Sequence, residues 1–178
     1  MKPIEQQVVF DLELLKKYDI SGPRYTSYPT APQFSTEFTE QDYRSCIAES
    51  EAASPSRPLS LYVHLPFCDT ICYYCACNKI VTKDRGRAVP YLEHLHKEIA
   101  MQAALFDSHR VVEQLHWGGG TPTFISHAQM TELMQHLHKQ FNFAADEAGE
   151  YPLDIDPLEP DSTTIAVLPE TGVQPLSP

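Results

Sequence analysis

Leu59-Ser-Leu-Tyr-Val-His-Leu-Pro-Phe-Cys-Asp-Thr-Ile-Cys-Tyr-Tyr-Cys-Ala-Cys77 holds a strand and a metal-binding pattern in one short run. Leu59, Leu61, Val63 and Leu65 share one side of an alternating stretch, and Ser60, Tyr62 and His64 share the other. That two-residue period is the mark of a β-strand, and Pro66 ends it. Cys68, Cys72, Cys75 and Cys77 follow, with Cys46 the only other cysteine. Disulfide scaffolds spread their cysteines to staple distant loops. Four in one loop read instead as reduced thiols that bind metal. Thiolates at Cys-x₃-Cys-x₂-Cys spacing suit an iron–sulfur cube, three sulfurs holding it while one iron stays open. Zinc would want a second, separated Cys-x₂-Cys pair to close a tetrahedron, and the sequence has none. The alternative is a set of buried free thiols.

Downstream, helix and strand patterns alternate. Ala88 to Phe106 carries a helical stripe of Leu92, Leu95, Ile99, Ala103 and Phe106. Val111 to Trp117 predicts a second strand running into Gly118-Gly119-Gly120-Thr121-Pro122. Ser126-His-Ala-Gln129 is a capping box that opens a second helix, with Met130, Leu133, Met134, Leu137 and Phe141 as its core stripe. Tyr151 to Asp156 alternates again. Strands alternating with helices imply βαβ units and a parallel sheet. A strand covered by helices on both faces is almost continuously apolar, yet each strand here keeps a polar side: Ser60/Tyr62/His64, Gln114/His116, Asp154/Asp156. That repeat predicts a barrel lumen or a ligand-filled concavity. The cysteines and glycines follow the carboxyl ends of the strands, where α/β sites lie. Glycines there let backbone approach a ligand, or simply make a tight turn. His64 and His116 either line such a site or are structural. His94, His96, His109, His127, His136 and His138 read as surface residues, and Cys46 as a packed helix residue.

Upstream, residues 1–58 read as an N-terminal arm. Phe10 to Tyr18 predicts a short helix, and Ser21-Gly-Pro-Arg-Tyr-Thr-Ser-Tyr-Pro-Thr30 an extended loop. Thr39 to Ala53 predicts a helix with Thr39 as N-cap, and Ser54 to Pro58 breaks it. Residues 59–157 are then expected to form a partial barrel and 158–178 a divergent acidic, proline-rich tail. At 178 residues, 42% hydrophobic and 10% aromatic, the chain suits one ordinary globular domain. No apolar run is long enough for a membrane span and no signal-peptide pattern opens the sequence, so a cytoplasmic protein is expected. The net charge of −11 argues against a nucleic-acid surface. It is also uneven: residues 1–139 hold all thirteen bases against sixteen acids, and residues 140–178 hold eight acids and no Lys or Arg.

The Cys-x₃-Cys-x₂-Cys spacing, with an aromatic before the last cysteine, resembles the radical S-adenosylmethionine superfamily. Tyr62-Val-His-Leu-Pro-Phe-Cys68, Cys72-Tyr-Tyr-Cys75-Ala-Cys77-Asn-Lys-Ile80, Leu115-His-Trp-Gly-Gly-Gly-Thr-Pro-Thr123 and the Ser21–Thr30 segment narrow the match. They resemble the oxygen-independent coproporphyrinogen III oxidase family, roughly from Phe10 to Asp156. The resemblance implies an incomplete radical SAM (β/α) barrel of parallel strands preceded by the arm. It assigns Cys68, Cys72 and Cys75 to a [4Fe–4S] cluster and leaves Cys77 in the motif without a ligand role. Tyr62 and Tyr74 are expected to contact S-adenosylmethionine, with Gly119, Gly120 and Thr121 near its amino-acid part. Asp154 stands where the family has a glutamate that holds the amino group, one methylene shorter. Ala76 stands where the family has glycine. No residue is singled out as catalytic.

The implied reaction is radical removal of hydrogen from a propionate side chain of coproporphyrinogen III. Carbon dioxide and an electron leave, and two such events give protoporphyrinogen IX. Lys79, Lys83, Arg85 and Arg87 would attract the substrate carboxylates or form a solvated basic stretch. The expected partners are the porphyrinogen and an electron donor that the sequence does not identify. No nucleic acid or membrane is expected, and the protein is read as a monomer. The segment from Pro152 departs from the family, with six prolines and no base. The chain is therefore expected to be an incomplete portion that does not convert the porphyrinogen alone. Rival readings are a haem-binding chaperone of the same superfamily and a truncated product without activity.

Overall fold

The computed structural model describes residues 11–19, 33–73, 75, 77–145, 149–154 and 174–175. Tyr74, the Ser21–Thr30 segment, residues 155–157 and most of the expected tail lie outside them. The chain divides into two compact units, 1–39 and 40–178. The first contains helix α1 (Leu12–Tyr18), whose exposed N–H groups at Glu13 and Leu14 donate to the Asp11 carboxylate at 2.9 and 3.0 Å. That cap starts the helix two residues after Phe10.

The second unit runs α2 (Glu40–Ala53), β1 (Leu59–Leu65), β2 (Phe67–Cys68), β3 (Ile80–Val81), α3 (Ala88–Ala103), β4 (Val111–Gly119), α4 (His127–Gln140), β5 (Asn142–Phe143), β6 (Pro152–Leu153) and β7 (Gln174–Pro175). β1, β4, β6 and β7 lie side by side in that order, with β5 also on β4, and every pairing is parallel. The parallel sheet predicted from the alternation of elements is thus present. β2 and β3 form a separate parallel pair across the cysteine loop.

Register explains the burial. Val63 lies opposite Trp117, and Trp117 opposite Leu153, so three strands present one apolar row. That row packs with Leu92, Leu95 and Ile99 of α3 and Met130, Leu133, Met134 and Leu137 of α4 in one core. Val112 and Leu115 are both fully buried although three apart. Leu59 pairs with Val112 but Ser60 with Gln114, so Glu113 is an extra residue on β4. Such a bulge resets the alternation and lets Glu113 and Gln114 both face out. β4 continues two residues beyond Trp117 because Leu65 still pairs with Gly119. α3 ends at Ala103 rather than Phe106, since Leu105 and Phe106 turn back in i→i−3 bonds of 3.0 and 3.2 Å.

Pro152 accounts for the shortness of β6. Glu150 N–H donates to Glu113 C=O at 2.8 Å and Asp154 N–H to Trp117 C=O at 3.0 Å. Proline occupies the position between them, where a parallel ladder would place another donor. The strand is interrupted, but Asp154 is still delivered beside the end of β4.

α2 buries only Ile47 and is attached by polar ties. Glu51 accepts from the Arg110 guanidinium and from Asp107 N–H at 2.9 Å, and Arg110 Nε donates to Arg57 C=O at 2.8 Å. The Asp107 N–H, then the guanidinium, hold the Glu51 carboxyl below its ordinary range.

His96 and His136 are half-buried between α3 and α4, where surface positions were expected. Their rings stack at 4.6 Å, and His136 Nε2 donates to His96 C=O at 3.0 Å. His96 Nε2 is buried without a hydrogen-bond partner among the described residues. Burial, then the neighbouring His136, push the His96 pKa down, while Glu132 opposes them. Stability from this group is full above its ordinary value of about 6.5 and is lost as pH falls from there through the lowered folded value. His96→Phe should therefore flatten the decline in denaturant midpoint as pH falls below about 6.5, the ordinary imidazole value. An unchanged decline would assign the acid sensitivity elsewhere. Among the described residues no helix is long and apolar enough to cross a membrane.

Candidate functional site

Parallel pairing puts the carboxyl ends of β1, β4 and β6 next to one another, and their polar sides form one surface. Tyr62 lies opposite His116 in register, and the two rings stack at 5.6 Å and 17°. His116 Nε2 lies 3.2 Å from Asp154 Oδ2 and donates to it, a carboxylate having only lone pairs to offer. His64 Nε2 lies 2.9 Å from Asn78 C=O and its Nδ1 3.1 Å from Tyr62 Oη. A carbonyl accepts only, so the neutral ring carries its proton on Nε2 and accepts the tyrosine hydroxyl at Nδ1. Tyr91 Oη donates to His64 C=O at 2.5 Å, fixing the strand beneath the ring. Burial, then the charges of Cys77 and Asp154, push the Tyr62 phenol up from its ordinary pKa. Both histidines thus belong to the polar surface, joined to Tyr62 and Asp154.

The glycine run meets the cysteine loop at close range. Gly119 has φ +112°, a region that side chains rarely adopt, and a Cβ there would lie 2.6 Å from the His64 imidazole. A Cβ on Gly120 would lie 2.5 Å from Phe67 C=O and 2.8 Å from Cys68 Sγ. Gly120 N–H donates to Leu65 C=O at 2.8 Å and buried Thr121 N–H to Phe67 C=O at 2.8 Å. The carboxyl end of β4 is therefore sewn onto the segment that leads into Cys68. On its other side that segment is held by Ile80 N–H to Pro66 C=O at 2.7 Å and Thr82 N–H to Cys68 C=O at 2.9 Å. Cys68 is buried, Cys75 half-buried, and Cys72 and Cys77 exposed. The Cys77 N–H, then the Lys79 ammonium, hold the Cys75 thiol below its ordinary pKa against the opposing effect of burial.

Among the described residues no three His, Cys, Asp or Glu side chains come close enough to share one metal ion. Three thiols on one loop, one buried, one half-buried and one exposed, offer the soft sulfur donors that a multi-iron cluster takes on separate irons. The donor set fits the cluster. Of the expected site residues, Tyr62, Asp154, Gly119, Gly120, Thr121 and Cys68 meet at this corner; Cys72 and Cys75 lie further along the loop and are not gathered with Cys68 into one metal-holding group, and Tyr74 lies outside the described residues. Asn78 and Tyr91, which fix His64 by backbone-to-side-chain bonds, were not visible in the sequence, because no local pattern pairs residues 14 or 27 apart.

The sequence profile of the radical SAM superfamily matches residues 62–172. The chain is 50% identical over 168 residues to the oxygen-independent coproporphyrinogen III oxidase of Pseudomonas aeruginosa and 48% over 172 residues to that of Escherichia coli K12. These matches take in 94% and 97% of the chain but 36% of each relative, so the chain spans about a third of their length. A protein of the same description from Mannheimia haemolytica is 45% identical over 151 residues, which are 85% of this chain and 99% of that one. The solved structure of coproporphyrinogen III oxidase from Escherichia coli, described as a radical SAM enzyme, superposes with a TM-score of 0.78 at 45% identity over 94% of this chain and 36% of that one. With the three-thiol loop anchored on a glycine corner of a parallel sheet, these likenesses make the chain a member of the radical SAM superfamily and, within it, of the oxygen-independent coproporphyrinogen III oxidases.

Proposed function

We propose that this chain forms the cluster- and cofactor-binding portion of an enzyme that decarboxylates coproporphyrinogen III oxidatively to protoporphyrinogen IX without oxygen. It does so in the cytoplasm, as a monomer fed by an external one-electron donor. The observation that carries the proposal is the corner where Gly120 backs directly onto the Cys68 sulfur. Superfamily membership brings a [4Fe–4S] cluster and S-adenosylmethionine as cofactors, and together they supply one-electron radical chemistry when bound. Cys68, Cys72 and Cys75 would hold the cluster. Tyr62, Gly119, Gly120 and Thr121 would flank the S-adenosylmethionine, with Tyr74 as a further contact. The Asp154 carboxylate, oriented by His116, would hold the cofactor's amino group as a charge-assisted acceptor. Lys83 and Arg87, exposed beside the loop, would draw the substrate carboxylates toward it.

Anaerobic reconstitution should give a brown protein with about four irons per chain. Titrating S-adenosylmethionine should change the reduced cluster's EPR signal, and at lower concentration in Asp154→Glu, whose carboxylate reaches one methylene further. Iron uptake with no response to S-adenosylmethionine in either protein would sink the cofactor assignment.

A further inference from the structure

We propose that Arg85 is a positioning residue for the cysteine loop, clasping it to the loop that follows the glycine run; this rests on the cluster reading above. The guanidinium makes three contacts at once. One arm pairs with the Asp69 carboxylate, one residue after Cys68. The other donates to Phe124 C=O at 2.8 Å, and the planar group lies over the Phe124 ring, 4.1 Å from its centroid. Phe124 in turn stacks on Phe67, one residue before Cys68, at 5.2 Å and 21°. The side chain thus grips both sides of the first cysteine, directly at Asp69 and through Phe124 at Phe67.

The backbone of Arg85 is itself fixed. Asp84 accepts from Gly86 N–H at 3.0 Å and donates its own N–H to Thr82 Oγ1 at 3.1 Å. Thr82 N–H in turn reaches Cys68 C=O at 2.9 Å. The segment 69–84 is therefore closed into a ring, by the backbone at Cys68–Thr82 and by side chains at Asp69–Arg85. Cys72 and Cys75 fall between these ties along the chain, so the loop that carries them is held at both ends.

A lone ion pair at this exposure would contribute little. The weight here comes from geometry: a planar fork can face a carboxylate, a carbonyl and a ring together, and an ammonium cannot. Lysine at this position would keep Asp69 or Phe124 C=O but not both.

The test compares the full chain with Arg85→Gln, Arg85→Lys, Asp69→Asn and the Arg85→Gln/Asp69→Asn double variant. Iron loss from the reconstituted proteins to a chelator is timed, and amide exchange is measured on the metal-free proteins. Arg85→Gln and Asp69→Asn should each lose iron about fivefold faster, the factor that ~1 kcal/mol carries. The double variant should be no faster than either, because the two side chains act as one unit. Arg85→Lys should fall between. In the metal-free proteins, exchange should rise at residues 69–72 and 124–126 together. Unchanged iron loss in both single variants overturns the proposal, as does faster exchange without faster iron loss, which would leave Arg85 a purely structural tie. A wild-type chain that takes up no iron would overturn the cluster reading instead. The paired exchange change in the metal-free protein would then decide the clasp by itself.

Discussion

Changing Cys68, Cys72 or Cys75 singly to serine is expected to abolish cluster assembly, whereas Cys77→Ser should retain it. Serine is nearly isosteric, but its hydroxyl neither ionises near neutral pH nor offers soft sulfur to iron. The effect should be all-or-none because a cube held by three thiolates is left with two when one of them is replaced. Cys68 is the most constrained of the three, buried within the β2–β3 pair with its sulfur against Gly120. Cys77 is exposed and follows a turn whose hydrogen bond, Cys75 N–H to Cys72 C=O at 3.1 Å, does not involve it. Iron content and visible absorption after anaerobic reconstitution check this, with thermal melts of the metal-free proteins as the control for folding. Equal iron loss in Cys77→Ser would overturn the three-ligand assignment.

Gly120→Ala should be nearly as damaging, by a different route. The added methyl would lie 2.5 Å from Phe67 C=O and 2.8 Å from both Cys68 Sγ and the Pro66 carbonyl carbon. Two of those atoms are backbone, so no rotamer change relieves the clash. Relief requires β4 to draw away from the segment before Cys68, stretching the bonds from Gly120 N–H to Leu65 and Thr121 N–H to Phe67. Overpacking of this kind costs about 1–3 kcal/mol, and here it also displaces the first sulfur. We expect a lower denaturant midpoint and an iron affinity weakened about fivefold, the factor that ~1 kcal/mol carries. Wild-type values for both would mean that the corner is looser than its distances imply.

Much of this protein is legible along the chain. The alternation of Leu59–Leu65, the stripes of α3 and α4 and the capping box at Ser126 predict elements that the structure contains, because each depends on residues at most one or two turns apart. In the capping box, Ser126 and Gln129 exchange bonds of 2.9 and 3.3 Å. The cysteine spacing is equally local, since ligands that converge from one loop must be close in sequence.

Other features depend on what lies beside the chain in space. β4 reads from sequence as a strand ending at Trp117, yet it runs to Gly119 and carries a bulge at Glu113. Its length and register are set by β1, which lies some fifty residues earlier in the chain. His96 and His136 are polar residues on helices, hence surface residues by composition, until α3 and α4 pack and bring their rings together. Arg85 belongs to a basic stretch in sequence, and only folding places Asp69 and Phe124 around it. Sequence by itself determined the elements, the thiol cluster and the residue types at the site, because helix and strand periods and ligand spacing are properties of short segments. Only the tertiary structure decided which backbone the glycines touch, which proton His64 carries and which side chains brace the loop, because those depend on contacts between segments that no local period encodes.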